Sequence, residues 1–259
     1  MGRRSVLFPE LMVHGTQMET VKSDKYLVDI IAADGSNKEN IRSRVSKGNG
    51  IIAKIRAMLE NISLGQEYFR IAFLLRESLF LNGILFASES LFRLKSDEVE
   101  ELEKVDRILM RTIFEIPESV PVESSYLESG CLTIGALIKA RRVNFLHTLA
   151  NLEESEMLSK FFLHQWDQPS KLDWTEQVKN DLEDLDMPVS LEFVQSKSQV
   201  VFSKLVKEKI KKYEFTRLIG KMKSKMKNLE YSELRMQEYL ELRTMNKRQA
   251  IILFKFRGK

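Results

Sequence analysis

The chain has 259 residues, of which 43% are hydrophobic and 30% are charged, and its net charge is +4. This composition is typical of a folded, well-solvated protein, and it excludes an intrinsically disordered chain. The single cysteine excludes an intrachain disulfide and a zinc site built on Cys-x-x-Cys, so we expect a reducing intracellular setting, in the nucleus or the cytoplasm.

Residues 1–36 predict a small β element. Residues 11–13 are apolar and precede His14-Gly15, a pattern typical of a short strand followed by a turn. Residues 26–31 are rich in aromatic and β-branched side chains and lead to a turn at Asp34-Gly35. They therefore belong to the same predicted β element.

Helices are predicted for most of the remaining chain, because five prolines and eleven glycines are few for this length. Ser36 or Asn37 can cap a helix over 37–61, in which Gly48 and Gly50 predict a kink or a break. Its apolar stripe comprises Ile41, Val45, Ile52, Ile55 and Leu59. Further helices are predicted over 66–88, 97–115 (capped by Ser96), 134–152, 154–166, 173–185, 200–226 (with a break at Gly220 left open), 232–242 and 247–256.

Residues 68–86 form the most apolar stretch, but they contain Arg70, Arg76 and Glu77. A charge in the middle of a membrane span costs about 2.5–3.5 kcal/mol on insertion scales. We therefore predict a buried core helix here and no membrane partner.

The predicted fold is mainly α-helical, a helical bundle in two lobes with a small N-terminal β hairpin. The β element covers 1–36, the first helical bundle covers 37–116, and a downstream helical region covers 117–259. Residues 117–130 are the predicted linker, because they contain Pro117, Pro121 and Gly130.

Charge is distributed unevenly along the downstream region. Residues 151–192 contain eleven acidic residues against three lysines, whereas residues 204–227 contain ten lysines and arginines against two glutamates. Two interpretations stay open: the basic block faces a polyanion, or the two blocks face each other or water.

The sequence shows no obvious catalytic or metal-binding pattern. The sequence contains no P-loop, Gly-x-Gly-x-x-Gly, His-Glu-x-x-His or Gly-x-Ser-x-Gly motif. His14, His147 and His164 are scattered, and a structural role is favoured over a metal site. Cys131 is interpreted as a packed thiol, because a nucleophilic cysteine needs an activating group beside it.

Short motifs follow one another along nearly the whole chain. They are Pro9-Glu10-Leu11-Met12-Val13-His14-Gly15 with Met18, Lys25-Tyr26-Leu27-Val28-Asp29-Ile30-Ile31, Asp34-Gly35-Ser36-Asn37, Leu75-Arg76-Glu77-Ser78, Asn82-Gly83-Ile84-Leu85, Val105-Asp106, Tyr126-Leu127-Glu128 with Gly130, Arg141-Arg142, Asp173-Trp174 and Gln237-Glu238-Tyr239-Leu240. In this order they resemble the polyproteins of non-LTR (LINE-like) retrotransposons, from the end of the reverse-transcriptase palm through the thumb into downstream helices. Val28 departs from that pattern, because the family has glycine there.

This resemblance implies that residues 25–31 correspond to the primer grip and 37–116 to the thumb of an RNA-directed DNA polymerase. Such polymerases hold two metal ions with paired aspartates in a Tyr-x-Asp-Asp turn, and that string is absent from this sequence. We therefore expect no DNA synthesis by this chain on its own and no cofactor. Mg²⁺ would be needed only together with a palm.

The partners implied are RNA, DNA or an RNA–DNA hybrid, bound through backbone phosphates. The candidate nucleic-acid-binding residues are Lys25, Tyr26, Arg42, Lys47, Lys54, Arg56, Lys207, Lys211, Lys212, Lys221 and Lys223. On the predicted 37–61 helix, Lys47 and Lys54 share one flank of the apolar stripe, and Arg42 and Arg56 share the other. A helical protein-interaction module and a decayed coding remnant without function stay open as alternatives, and the oligomeric state is left open.

Overall fold

A computed structural model describes residues 12–13, 16–17, 21–26, 29–61, 67–91, 94–118, 120–168, 173–223, 234–237, 240, 247–249 and 251. Within these residues the fold is mainly α-helical with a small antiparallel β hairpin near the N-terminus. The predicted fold class is confirmed. The predicted helices at 232–242 and 247–256 lie mostly outside the described residues.

The N-terminal strands form two antiparallel pairs. Strand β1 (Met12–Val13) pairs with β2 (Thr16–Gln17), and β3 (Ser23–Tyr26) pairs with β4 (Asp29–Ala32). The predicted β element is confirmed here, with Tyr26 ending β3 opposite Asp29 at the start of β4. Ser23, Asp24 and Lys25 of β3 are polar, so they gave no strand signal.

The turn predicted at Asp34-Gly35 is confirmed. The Gly35 N–H donates to the Ala32 carbonyl over 2.9 Å, and Gly35 has φ +67°, in the left-handed region that glycine adopts most readily. The chain then enters helix α1 (Lys38–Asn61). The buried Arg44 of α1 binds Asp29 and donates to the Ile84 carbonyl over 2.6 Å, which ties β4 to the helical bundle.

Helix α1 continues through both glycines, so the helix is not broken there. Gly48 faces other helices, where a Cβ would lie 3.0 Å from Val105 Cγ1 and 3.2 Å from Ile84 Cγ2. Glycine therefore allows a close helix approach, and that packing offsets its low helix propensity. Of the predicted apolar stripe, Ile41, Ile52, Ile55 and Leu59 are buried and Val45 is half-buried, as expected.

The predicted 66–88 helix is present as far as Ile84, but it is buried on one side only, since Arg70, Leu74 and Leu79 are exposed. Helix α2 (Tyr68–Leu75) runs into a π-helical segment (Arg76–Leu81) and then into α3 (Asn82–Ile84). A 3₁₀ turn (Ser88–Ser90) follows. Among the described residues, no helix is both long enough and apolar enough to cross a membrane.

Helix α4 (Ser96–Phe114) has a buried stripe of Leu102, Val105, Leu109 and Ile113. Its N-cap is Lys95 rather than the predicted Ser96, because the Glu98 carboxylate accepts the Lys95 backbone N–H over 2.9 Å. The helix ends at Glu115, which is left-handed with φ +50°.

The prediction of a linker over 117–130 is wrong. Helix α5 (Glu123–Ser129) occupies this region, and Tyr126 and Leu127 lie in the hydrophobic core. Its serines can be buried because their hydroxyls bond locally, as Ser125 Oγ does to the Val122 carbonyl over 2.6 Å. Pro117, Pro121 and Gly130, from which the linker was predicted, lie before and after this buried helix.

The remaining helices are α6 (Ile134–Ala150), α7 (Met157–Asp167), α8 (Trp174–Asp184), α9 (Leu191–Gln195) and α10 (Gln199–Lys223). Four of them lie within three residues of their predicted starts. Helix α9 was not predicted, because five residues are too few to show a period. Helix α10 continues through Gly220 without a break.

Two hydrophobic cores organise these helices. The first core joins α1–α5 to the start of α6 and the end of α10, and the second joins the rest of α6 to α7–α9 and the first part of α10. The lobes therefore share α6 and α10 instead of meeting at a linker.

The buried positions of α10 explain how one helix serves both cores. Phe202, Val206, Ile210, Glu214, Leu218 and Met222 are buried, at a strict spacing of four residues. Because an α-helix has about 3.6 residues per turn, this line rotates by about 40° at each step. The first three positions therefore face the second core, and the last two face the first.

Candidate nucleic-acid interface

The exposed side of α10 carries a group of lysines that we call the lysine face: Lys204, Lys207, Lys211 and Lys212. Lys211 is half-buried and the other three are exposed. Lys204 and Lys211 lie opposite the buried side chains of Phe202 and Val206, whereas Lys207 and Lys212 lie toward the two edges of that side, and the exposed Glu208 lies among the four lysines. Among the described residues, no ion pair is recorded for any of the four.

Two residues of the acidic block next to α10 in sequence, Asp181 and Asp184, are paired with α6. Lys139 Nζ lies 2.7 Å from Asp181 Oδ1 and 2.6 Å from Asp184 Oδ2, and Arg142 Nε lies 2.7 Å from Asp181 Oδ2. Burial opposes a charge on Lys139, but the attraction and hydrogen bonds of the two aspartates outweigh it and raise the pKa of its ammonium. Lys139 is therefore held in its charged form.

Lys209 of α10 does reach the acidic block. Its Nζ lies 3.1 Å from Asp186 Oδ2 and 2.8 Å from the Asp186 carbonyl. Asp186 is 93% exposed, so this pair contributes little stability. The interpretation that the two charge blocks neutralise each other therefore holds for Lys209. It does not hold for the four lysines of the lysine face.

Arg217 belongs to the interior of the fold. Its guanidinium binds both carboxylate oxygens of the buried Glu214, each over 2.7 Å, and donates to Thr133 Oγ1 over 2.8 Å. It also lies 3.7 Å from Glu103 of α4. Glu214 and the attraction of Glu103 raise the pKa of Arg217 against the opposing effect of burial. Arg217 is thus a link between the two cores.

A cleft of about 360 Å³ opens between α4, α6, α8 and α10. Its walls carry Glu103, Asp181, Lys139, Arg142 and Arg217, which are paired with one another. Because these cations already bind carboxylates, the cleft does not form a free anion site.

The other predicted residues lie on separate surfaces. Lys25 is exposed on β3, whereas the side chains of Tyr26 and Lys223 lie outside the described residues. Lys221 is exposed near the end of α10.

The predicted cations of α1 are all exposed. Lys47 and Lys54 occupy one flank of the helix and Arg42 and Arg56 the other, as predicted from the 3.6-residue period. Helix α1 packs in the first core, whereas the lysine face projects from the part of α10 that packs in the second. Hence the predicted residues form several surfaces.

A buried ionic cluster in the first core was not predicted as such, although its residues lie in the motifs quoted above. Arg76 Nε and Nη2 donate to the Asp106 carboxylate over 2.9 and 2.6 Å, and the Tyr126 hydroxyl donates to it over 2.9 Å. Arg76 also donates to the Leu132 carbonyl over 2.9 Å. Burial raises the pKa of Tyr126 well above its ordinary value, so the phenol stays a donor.

Cys131 lies beside this cluster. Burial raises the pKa of its thiol, although Arg76 and a hydrogen bond with Ser129 act in the opposite direction. Because the thiolate is the reactive form, we expect the native thiol to react more slowly with iodoacetamide at mildly alkaline pH than the thiol of the urea-unfolded chain. Mass spectrometry reads this out directly, since the sequence has a single cysteine. Equal rates in the two states would contradict a packed thiol.

The two histidines that the structure describes, His147 and His164, show no metal-binding arrangement. His147 Nε2 lies 2.8 Å from the Lys197 carbonyl and its ring lies 5.1 Å from that of Phe202, whereas His164 is exposed. His14 lies outside the described residues. Across the described part of the chain, no group of three or more metal-ligating side chains is placed to hold an ion.

Comparisons with known proteins do not assign a family or a function to the chain. No protein-family model, no curated protein and no solved structure matches the chain. Function is therefore inferred from the chain's own residues and contacts.

Proposed function

We propose that the chain is a non-catalytic part of a LINE-like reverse transcriptase and that it binds RNA, DNA or an RNA–DNA hybrid through the phosphate backbone. The supporting observation is the lysine face, whose four ammonium groups have no recorded ion pair among the described residues. The nearby carboxylates of Asp181 and Asp184 are engaged by α6. The resemblance of the ordered motifs supports the same partner class.

The spacing of the lysine face suits a nucleic-acid backbone. Lys204 and Lys211 are seven residues apart, which is about 10 Å along a helix. Phosphates follow one another about every 3.4 Å along the axis of one duplex strand, so the face spans about three of them. Lysine neutralises phosphates as a flexible point charge and does not read bases, so binding should be independent of sequence.

A variant with Lys204→Ala, Lys207→Ala, Lys211→Ala and Lys212→Ala tests this proposal. Each neutralised phosphate contributes about −0.9 to the slope of log affinity against log salt, so we expect the slope to lose about 3 to 4 units. Affinity at low salt should fall on the order of a hundredfold or more. Fluorescence anisotropy of a labelled RNA–DNA hybrid, measured over a salt series, provides both quantities.

The matched control is a variant with Arg42→Ala, Lys47→Ala, Lys54→Ala and Arg56→Ala, which removes the same charge from α1. If it loses as much affinity as the α10 variant, the lysine face is not the principal site, and either net charge or the cations of α1 account for binding equally well. Failure of the unaltered chain to bind at low salt, or an affinity indifferent to salt, would overturn the proposal itself.

A further inference from the structure

A pocket of about 320 Å³ lies between the end of α8 and the middle of α10, and we call it the Tyr213 pocket. The buried Leu185 and the half-buried Tyr213 form its apolar wall, and the exposed Lys212 and Thr216 of α10 line it as well. Ligand pockets start at about 300 Å³, so a pocket of this size suits one small planar group.

The wall of the pocket carries one positive charge without a partner, on Lys212. Among the described residues, no ion pair or hydrogen bond is recorded for its ammonium group. The other charged side chains of the wall are already engaged: Asp184 with Lys139, Asp186 with Lys209, and Arg217 with Glu214. The pocket can therefore take one anionic group, beside Lys212.

Tyr213 supplies an aromatic ring and a free hydroxyl. Lys139 Nζ lies over one face of the ring, 5.2 Å from its centroid. Lys139 lines the larger cleft between α4, α6, α8 and α10 but not this pocket, whereas Tyr213 lines both, so the other face of the ring is turned to the pocket. Burial raises the pKa of the phenol, although the attraction of Lys139 opposes this effect, so the hydroxyl stays a donor at neutral pH.

The pocket and the lysine face share Lys212. Because Lys212 lies at one edge of that face, a phosphate bound to it lies at the rim of the pocket. A strand that follows the lysine face can therefore place the base next to that phosphate in the pocket without leaving its other lysine contacts.

We propose that the Tyr213 pocket receives one unpaired nucleotide of a strand bound on the lysine face, with its base against Tyr213 and its phosphate at Lys212. This inference rests on the proposed function. A base suits the wall better than a phosphate alone, because the carboxylates of Asp184 and Asp186 accept the amino groups of bases and repel anions. Stacking on an aromatic ring tolerates every base, so the pocket should select for an unpaired nucleotide and not for a sequence.

Three labelled RNA–DNA hybrids test the inference by fluorescence anisotropy at one salt concentration. The first is blunt, the second has short unpaired RNA tails at both ends, and the third has the same tails without their bases. The second and third hybrids carry the same phosphates, so the ratio of their affinities isolates the bases. We expect the second to bind the unaltered chain at least about fivefold more tightly than the third, which is the low end for one stacked base.

Tyr213→Ala and Phe161→Ala form a matched pair. Each removes one aromatic ring, but Phe161 is exposed on α7 and does not line the pocket. Tyr213→Ala should bring the ratio of the two affinities to about one, and Phe161→Ala should leave it unchanged. Thr216→Leu narrows the pocket at an exposed position and keeps the Tyr213 ring, so it should lower the ratio even if Tyr213→Ala fails to fold.

The failure of this inference is distinguishable from that of the proposed function. If none of the three hybrids binds, the proposed function fails and the inference with it. If the blunt hybrid binds but the bases of the tails add nothing, or if Tyr213→Ala and Phe161→Ala change the ratio alike, the inference alone is overturned. Free AMP, which lacks the contacts of the strand, should bind no more tightly than millimolar by calorimetry. Micromolar binding of AMP would assign the pocket to a free nucleotide and would also overturn the inference.

Discussion

Replacing Asp106 by alanine is expected to lower the free energy of unfolding by roughly 3–5 kcal/mol, because the change leaves a buried charge without its partner. Asp106 is 0% exposed, and the Arg76 side chain that it binds is 2% exposed. Burial opposes the charge on Arg76, and the attraction of Asp106 raises the pKa of its guanidinium despite that opposition. The guanidinium therefore cannot discard its charge when the carboxylate is removed.

The position of the pair adds to the expected loss. Asp106 also accepts the hydroxyl of Tyr126, so α4 is joined through it to both the π-helical segment and α5. Removing this one carboxylate therefore breaks the polar contacts that join three elements of the first core. Urea unfolding followed by circular dichroism measures the change as a shift of the midpoint.

A triple variant, Arg76→Met with Asp106→Leu and Tyr126→Phe, removes the polar groups together. Apolar replacement of a buried ion pair is often neutral or stabilising by about 1–4 kcal/mol, so much of the lost stability should return. Recovery should stay partial, because the Leu132 carbonyl also loses the donor that Arg76 supplied.

Arg70→Ala is the matched control. Arg70 lies on α2, which runs directly into the π-helical segment that carries Arg76. Arg70 pairs with Glu67, but their side chains are 73% and 42% exposed. A solvated pair of this kind is worth about 0–1 kcal/mol, so the unfolding midpoint should barely move. If Asp106→Ala cost no more than Arg70→Ala, the buried cluster would have no structural role.

The helices were predictable wherever one buried stripe follows the 3.6-residue period. Helix α4 is such a case, since Leu102, Val105, Leu109 and Ile113 repeat at three and four residues and all are buried. Helix α10 was also predicted, but the side that it buries was not, because its buried line keeps a spacing of four and passes through Glu214. A period search finds no fixed face in such a helix, although it is one of the longest in the fold.

The charged residues could be counted from the sequence but not sorted into roles. Lys209, Arg217 and the lysine face look alike in a basic block. Arg217 is structural only because Thr133 and Glu103, far away in sequence, lie beside it. Likewise Asp181 and Asp184 of the acidic block are paired with Lys139 of α6, and neither block reveals that partner by its own composition.

Gly130→Ala is expected to detach residues 234–237 from α5. Gly130 has φ +67°, and a Cβ built on it would lie 2.5 Å from the backbone carbon of Arg235 and 2.5 Å from the backbone nitrogen of Met236. The left-handed conformation alone costs an alanine about 1–2 kcal/mol. The steric clash should cost more than this, because the obstructing atoms belong to the backbone and cannot rotate away as a side chain can.

The contact that would be lost is specific. Ser129 and Met236 form an antiparallel bridge, and the Gln237 N–H donates to the Glu128 carbonyl over 2.8 Å. We therefore expect the Gln237 amide to exchange with solvent much faster in the variant. Amides in the middle of α4 should keep their protection, since only a local opening is required. Hydrogen–deuterium exchange with mass spectrometry resolves the two regions.

Gly220→Ala separates this effect from a general intolerance of glycine substitution. Gly220 lies within α10, and a Cβ there would meet nothing within 4 Å. Alanine is better than glycine in a helix interior by about 1 kcal/mol, so this variant should be more stable and should keep the Gln237 amide protected. If the Gln237 amide keeps its protection in Gly130→Ala, residues 234–237 can shift without losing their hydrogen bond to α5. The glycine would then be needed for its left-handed conformation at the end of the helix rather than for the close approach of the returning chain.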